Sequence, residues 1–242
     1  MNDDFYVGYI PHAPRALGRI VARITAGIIT AGLVASGLLI LGQPPFAASK
    51  FEYGQYRDYA GVIEEWPYPI LVTDEASFLL VAPGKHGLSD AVKGLQGKRV
   101  QLKGSLIERS QDRMIEVVAG SIAVIASQSQ TTSRIVDLGL VTLRGEIVDT
   151  KCYLGVMNPG EHKVHRDCAV RCISGGVPPA FLVRDALGAS RILLLVGKDG
   201  RALRREVLPF VAEPLEISGD LLRSGSTLTL KANPADFRRV TK

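Results

Sequence analysis

The chain has 242 residues, 46% of them hydrophobic, and a net charge of +5 from 29 basic against 24 acidic side chains; it can bury one large core or two small ones. The basic residues are scattered and form no long block, which argues against a nucleic-acid partner. Three cysteines, an odd number, leave at least one thiol outside any intrachain cystine.

Residues 24–42, "ITAGIITAGLVASGLLILG", carry no charge and at about 1.5 Å per residue reach roughly 28 Å, the thickness of a bilayer's hydrocarbon core. They predict a transmembrane helix. Arg15, Arg19 and Arg23 precede it, so the positive-inside rule places residues 1–23 in the cytoplasm and the rest of the chain outside. The alternative is a cleaved signal peptide ending near Ala47–Ser49; the long apolar run and long leader favour an uncleaved anchor. Gly27, Ala31 and Ala35 recur every fourth residue, a spacing that lets a second membrane helix approach.

Residues 43–56 read as a polar, Pro-containing linker. Two segments of one grammar follow, 57–128 and 140–242, joined by a linker at 129–139. "AGVIEE" stands beside "RGEIVD", and "VQLKGSLIERS" beside "LEISGDLLRSG". Each copy offers short strands, a helical or looped piece, and a final hairpin, which together predict a five-stranded OB-like barrel. Gly104 and Gly219 fall at matching strand positions where a barrel needs a bulge or tight bend. The fold expected is therefore mainly β: one membrane helix and two tandem OB-like barrels.

The copies differ in one respect. The second carries an insertion at 150–182, where the first has only "WPYPILVTDEA", and the insertion holds every cysteine: Cys152, Cys168 and Cys172. Residues 161–174 predict a short helix stopped by Gly175 and Gly176. On it His165, Cys168 and Cys172 share an arc of roughly 60°, with His162 at its margin. Cys152, after the first strand, is the natural group for that face to meet.

Three readings compete for this window. A cystine of Cys152 with Cys168 or Cys172 would close a loop and leave one thiol over. A metal site of Cys152, His165, Cys168 and Cys172 has the donor types that suit Zn²⁺ or copper, although the spacing is not that of a standard finger. A redox or haem role is less favoured, because neither C-x-x-C nor C-x-x-C-H occurs. His86 reads as an incidental turn residue, Tyr153 as a packing neighbour of Cys152, and Glu146 and Asp149 as carboxylates that solvate a strand.

"GEIVDTKCYLGV", "HRDCAVRC" and "GGVPPAFLV", in that order, resemble a pattern of poorly characterised bacterial exported proteins: D-x-x-C-Y, then H-x-x-C-A-x-x-C, then G-x-P. The likeness covers about residues 144–183 and implies a periplasmic domain with a binding or respiratory-chain accessory role, with Cys152, His165, Cys168 and Cys172 as the shared positions. An N-terminal anchor followed by an external OB barrel is also similar to the haem chaperones of cytochrome c maturation. Their haem-binding His and nearby Tyr have no counterpart after Thr227 here.

No G-x-S-x-G, H-E-x-x-H or Walker loop occurs, so enzyme chemistry is not indicated. The expectation is a single-pass protein of the bacterial inner membrane whose periplasmic part binds a metal or docks a redox partner through the Cys/His window. A structural interaction subunit with a cystine-pinned loop, or a thiol oxidoreductase, are the alternatives.

Overall fold

A computed structural model describes residues 14–43, 49–126 and 135–240. The chain divides into two compact units, Met1–Phe46 and Ala47–Lys242. In the first, helix α1 spans Arg15–Leu41 and is long and apolar enough to cross a membrane. It starts earlier than the uncharged run, because Arg, Ala and Leu, all good helix formers, supply six of the nine residues before Ile24. Arginine stems in such a position can lie along apolar surface with the charge held in water. Residues 1–13, most of the expected cleavage site and parts of both linkers lie outside the described residues.

The second unit contains two five-stranded barrels. The first half of the unit has β1 (Ser49–Phe51), β2 (Arg57–Glu64), β3 (Ile70–Val72), β4 (Ser77–Ala82), β5 (His86–Gly87), β6 (Arg99–Arg109), β7 (Asp112–Val117) and β8 (Ala123–Ala126), of which β1, β5 and β8 flank the barrel. The second half has β9 (Ile135–Asp149), β10 (Pro179–Arg184), β11 (Ser190–Gly197), β12 (Leu215–Ser224), β13 (Thr227–Ala232) and β14 (Arg238–Arg239), the last flanking the barrel.

Closure follows one pattern twice. In the first copy β2 pairs with β3, β3 with β4, β4 in parallel with β7, β7 with β6, and β6 with β2. In the second, β9, β10, β11, β13 and β12 close the same circuit, again with one parallel pair, β11 with β13. This is the OB-like order expected from the repeat.

Two segments expected as linkers begin strands early. Ser49–Phe51 pairs with β6 from within 43–56, and β9 starts at Ile135, within 129–139. The first is only three residues long, and the apolar Ile135, Leu138 and Leu140 at the start of the second are solvent-exposed, so neither reads as a buried strand.

Gly104 and Gly219 occupy the positions where a long strand changes partners: Gly104 pairs with both Arg57 and Val117, and Gly219 with Val141 one residue before Asp220 meets Lys231. A Cβ on Gly219 would collide with the Lys231 carbonyl and crowd Ala232. Gly219→Ala is therefore expected to destabilise the protein by about 1–3 kcal/mol, through backbone shifts at the bend. Urea unfolding of the full chain would measure it, and an unchanged midpoint would refute the steric account.

Each barrel has its own interior, and a third core joins them. Leu71, Phe78 and Leu80 point into the first barrel, while Ile70, Val72, Leu79 and Val81 of the same strands point out of it. Phe181, Leu193 and Leu195 fill the second, and Ala180, Leu182, Ile192, Leu194 and Val196 face outward to meet the first set. Strands buried on both faces read as unbroken apolar runs, as in "SFLLVA" and "RILLLVG". Tyr68 spans this interface: its hydroxyl donates to the Leu195 carbonyl at 2.6 Å and accepts from the Leu203 amide at 3.0 Å. Cys152, Tyr153, Leu154, Cys172 and Val177 of the insertion belong to the same shared core.

Candidate metal centre

The insertion folds as a turn of π-type at Cys152–Val156, a 3₁₀ turn at Lys163–His165, and helix α2 at Arg166–Ser174. The helix begins later than the expected 161–174, since Pro159 and the positive φ of His162 keep the preceding chain out of helical geometry. Its first two cysteine-bearing turns present Cys168 and Cys172, and the buried face of the helix lies in the cores of the second unit. Cys152 approaches from the end of β9.

The three sulfurs converge. Cys152 Sγ lies 3.8 Å from Cys168 Sγ and 3.9 Å from Cys172 Sγ. All three cysteines are free. The alternative cystine of Cys152 with Cys168 or Cys172 is therefore not formed: a disulfide holds its sulfurs at about 2.05 Å. Thiolates bound at about 2.3 Å to a tetrahedral ion lie about 3.8 Å apart, which is the spacing found here. Cys152 and Cys172 are buried and Cys168 is half-buried, so the triad has one accessible edge.

His165 is buried at the start of α2, but its Nε2 contacts Asp149 Oδ2 at 3.0 Å. The other Asp149 oxygen accepts the Cys152 amide at 2.8 Å. Asp149 is 0% exposed, which corrects the expectation of a solvating strand carboxylate. One carboxylate thus fixes the backbone of a cysteine and the ring of a histidine together. Asp149, Cys152 and His165 form a second group of potential ligands that shares Cys152 with the thiol triad.

His162 does not join them. Its Nδ1 lies 2.9 Å from Glu146 Oε1, and Arg184 contacts both Glu146 and Glu161 around it. A positive φ of 65° at His162 turns the chain toward these carboxylates. Glu146 is likewise buried and engaged, not solvating.

Two lysines complete the surroundings, and both went unread in the sequence. Lys85, exposed in the turn between β4 and β5 of the first barrel, brings Nζ to 2.7 Å from Cys168 Sγ and 3.8 Å from Cys172 Sγ. Lys151, 1% exposed, donates to the carbonyls of Ala82 and Gly84 at 2.8 and 2.6 Å and pairs with Glu116 at 2.5 Å. It ties the chain beside Cys152 to the turn that carries Lys85. Gly87 donates to the Gly175 carbonyl at 2.9 Å, and Gly175 lies so close to Lys85 that any Cβ there would strike its carbonyl.

These contacts divide the thiols by proton affinity. The hydrogen bond shared between Cys152 and Cys172 raises the first and lowers the second; burial and the Asp149 charge add to the rise at Cys152. At Cys172 burial opposes the fall, and Lys85 assists it. The contact with Cys168 raises the Lys85 ammonium above the usual lysine range. For a metal held by these groups, Asp149→Asn is expected to weaken binding by about 10–100-fold, the usual cost of losing a carboxylate that orients a ligand. Competition against a chromophoric chelator would measure it; affinity within twofold of the parent would remove Asp149 from that role.

Comparison with protein-family models, curated proteins and solved structures returns no match for this chain.

Proposed function

We propose that the protein is a metal-binding accessory protein anchored in a bacterial inner membrane, with its N-terminus in the cytoplasm and its double barrel in the periplasm. The three thiolates of Cys152, Cys168 and Cys172 hold one thiophilic ion, Zn²⁺ or copper. The fourth ligand comes from the Asp149–His165 pair; His165 would bind through the ring nitrogen that Asp149 does not hold. The anchor reading rests on the long apolar α1 and the arginines before it. The resemblance to exported proteins agrees with it, and a respiratory or redox protein of the same membrane is the partner class it implies.

The observation that carries the metal reading is the sulfur spacing, 3.8 and 3.9 Å from Cys152 to its two neighbours. It matches a shared ion and exceeds a covalent S–S bond. Cobalt titration of the reduced full-length protein in detergent tests it. One equivalent of Co²⁺ should produce intense near-ultraviolet thiolate-to-metal absorption together with the visible bands of a tetrahedral ion. Absence of both overturns the proposal.

A further inference from the structure

Cys168 is the one thiol of the three that is not fully buried, and it is also the one against Lys85. Their N···S separation of 2.7 Å is short for a hydrogen bond, because sulfur's larger radius moves an N–H donor about 0.4 Å beyond the roughly 2.9 Å of N–H···O. Two single bonds meeting at a bent oxygen would hold nitrogen and sulfur about 2.7 Å apart, within the range of reversible thiol oxidation products.

The pair is held in place from both sides. Lys151 fixes the carbonyls of Ala82 and Gly84, and the Gly87–Gly175 hydrogen bond fixes the other end of the Lys85 turn to the end of α2. Cys168 sits in that helix. Nitrogen and sulfur come from different barrels.

We propose that Lys85 and Cys168 are a modification site, at which dioxygen converts the metal-free protein to a covalent Lys–N–O–S–Cys bridge between the two barrels. Written as amine and thiol, the two groups each lose one hydrogen to dioxygen: R–NH₂ + R′–SH + O₂ → R–NH–O–S–R′ + H₂O. An N–O bond, an S–O bond and the two O–H bonds of water form; one N–H, the S–H and the dioxygen bond break. Nitrogen and sulfur each give up two electrons, and dioxygen takes four. The bridge withdraws Cys168 from the thiol triad, so the oxidised protein lacks one sulfur of the proposed ligand set, and reduction restores it.

Intact-mass measurement of full-length protein in detergent, freed of metal by a chelator and exposed to air-saturated buffer, tests this. The expected result is a gain of about 14 Da, one oxygen added and two hydrogens removed, reversed by excess thiol reductant. Peptide mapping should join the Lys85 and Cys168 peptides. Cys168→Ser and Lys85→Arg should both lose the gain; Lys85 is exposed, so the arginine variant keeps the charge without disturbing a core. A loss of about 2 Da (a cystine), a gain of about 16 or 32 Da on an unlinked Cys168, or an unchanged mass would each overturn the proposal. Cobalt uptake by the reduced protein is read separately, so failure here leaves the metal reading standing, and failure there leaves this one.

Discussion

Cys152→Ser is expected to abolish stoichiometric metal binding, with affinity for Zn²⁺ or Co²⁺ falling by well over about 100-fold. Cys152 is the only residue common to the thiol triad and to the Asp149–His165 pair, so its loss removes one ligand and separates the rest. Changes that merely reorient a ligand cost about 10–100-fold, and deletion of a thiolate should exceed that. Cys168→Ser and Cys172→Ser should each weaken binding but leave a measurable site, because Cys152 still reaches one sulfur and the histidine. Elemental analysis of purified protein and chelator competition give the comparison. A Cys152→Ser protein that retains one equivalent of metal at parental affinity would end the shared-ion interpretation. Serine is close to cysteine in volume, so the fold itself should tolerate the change, and a parental thermal melt would establish that.

Lys151→Met is expected to have the largest effect on stability of any single change at the site, about 3 kcal/mol. Nearly all of the Lys151 side chain is buried, and the Glu116 carboxylate it pairs with is 15% exposed. Removing one partner of a buried pair leaves the other charge without compensation, at a cost of about 3–5 kcal/mol. The freed carbonyls of Ala82 and Gly84 also lose their donor. Methionine matches the lysine stem, so a cavity contributes little. Urea unfolding of the full chain would read the change, and a loss under about 1 kcal/mol would show that water enters and replaces the ammonium. A surface ion pair such as Arg144 with Glu216 offers a contrast: its removal should cost no more than about 1 kcal/mol.

Much of the architecture was legible because its signals were periodic. The uncharged stretch from Ile24 announced a helix of spanning length, and the paired phrases around Gly104 and Gly219 announced a repeated barrel. Helical spacing of 100° put Cys168 and Cys172 on one face, and the place of Cys152 just after a strand made it the group to meet them. The shared core was harder to see, since an apolar run such as "RILLLVG" is equally compatible with one buried face and loose packing on the other. His165 lay on the predicted face, yet its ring pairs with Asp149. The clue to Asp149 was parity: it sits two residues after Ile147, whose side chain belongs to the second core, so the same face of β9 carries it inward. Lys85 left no such trace. A lysine in a Pro-Gly turn resembles any solvated turn residue, and only the docking of one barrel on the other brings it to the sulfurs.

The two-sided burial of β3 and β4 also has a consequence for the order of assembly. During synthesis all five strands of the first circuit are available once Val117 has emerged, but the residues that cover its outward face, on β10 and β11, arrive only after Pro179. Until then Ile70, Val72, Leu79 and Val81 form an apolar surface on an otherwise finished barrel, the kind of intermediate that invites a chaperone or a wrong partner. Cys152 emerges into that interval, before the helix that carries the other two sulfurs. Cys168 and Cys172 follow, so all three thiols have left the ribosome, uncovered, before the strands that shield the early half.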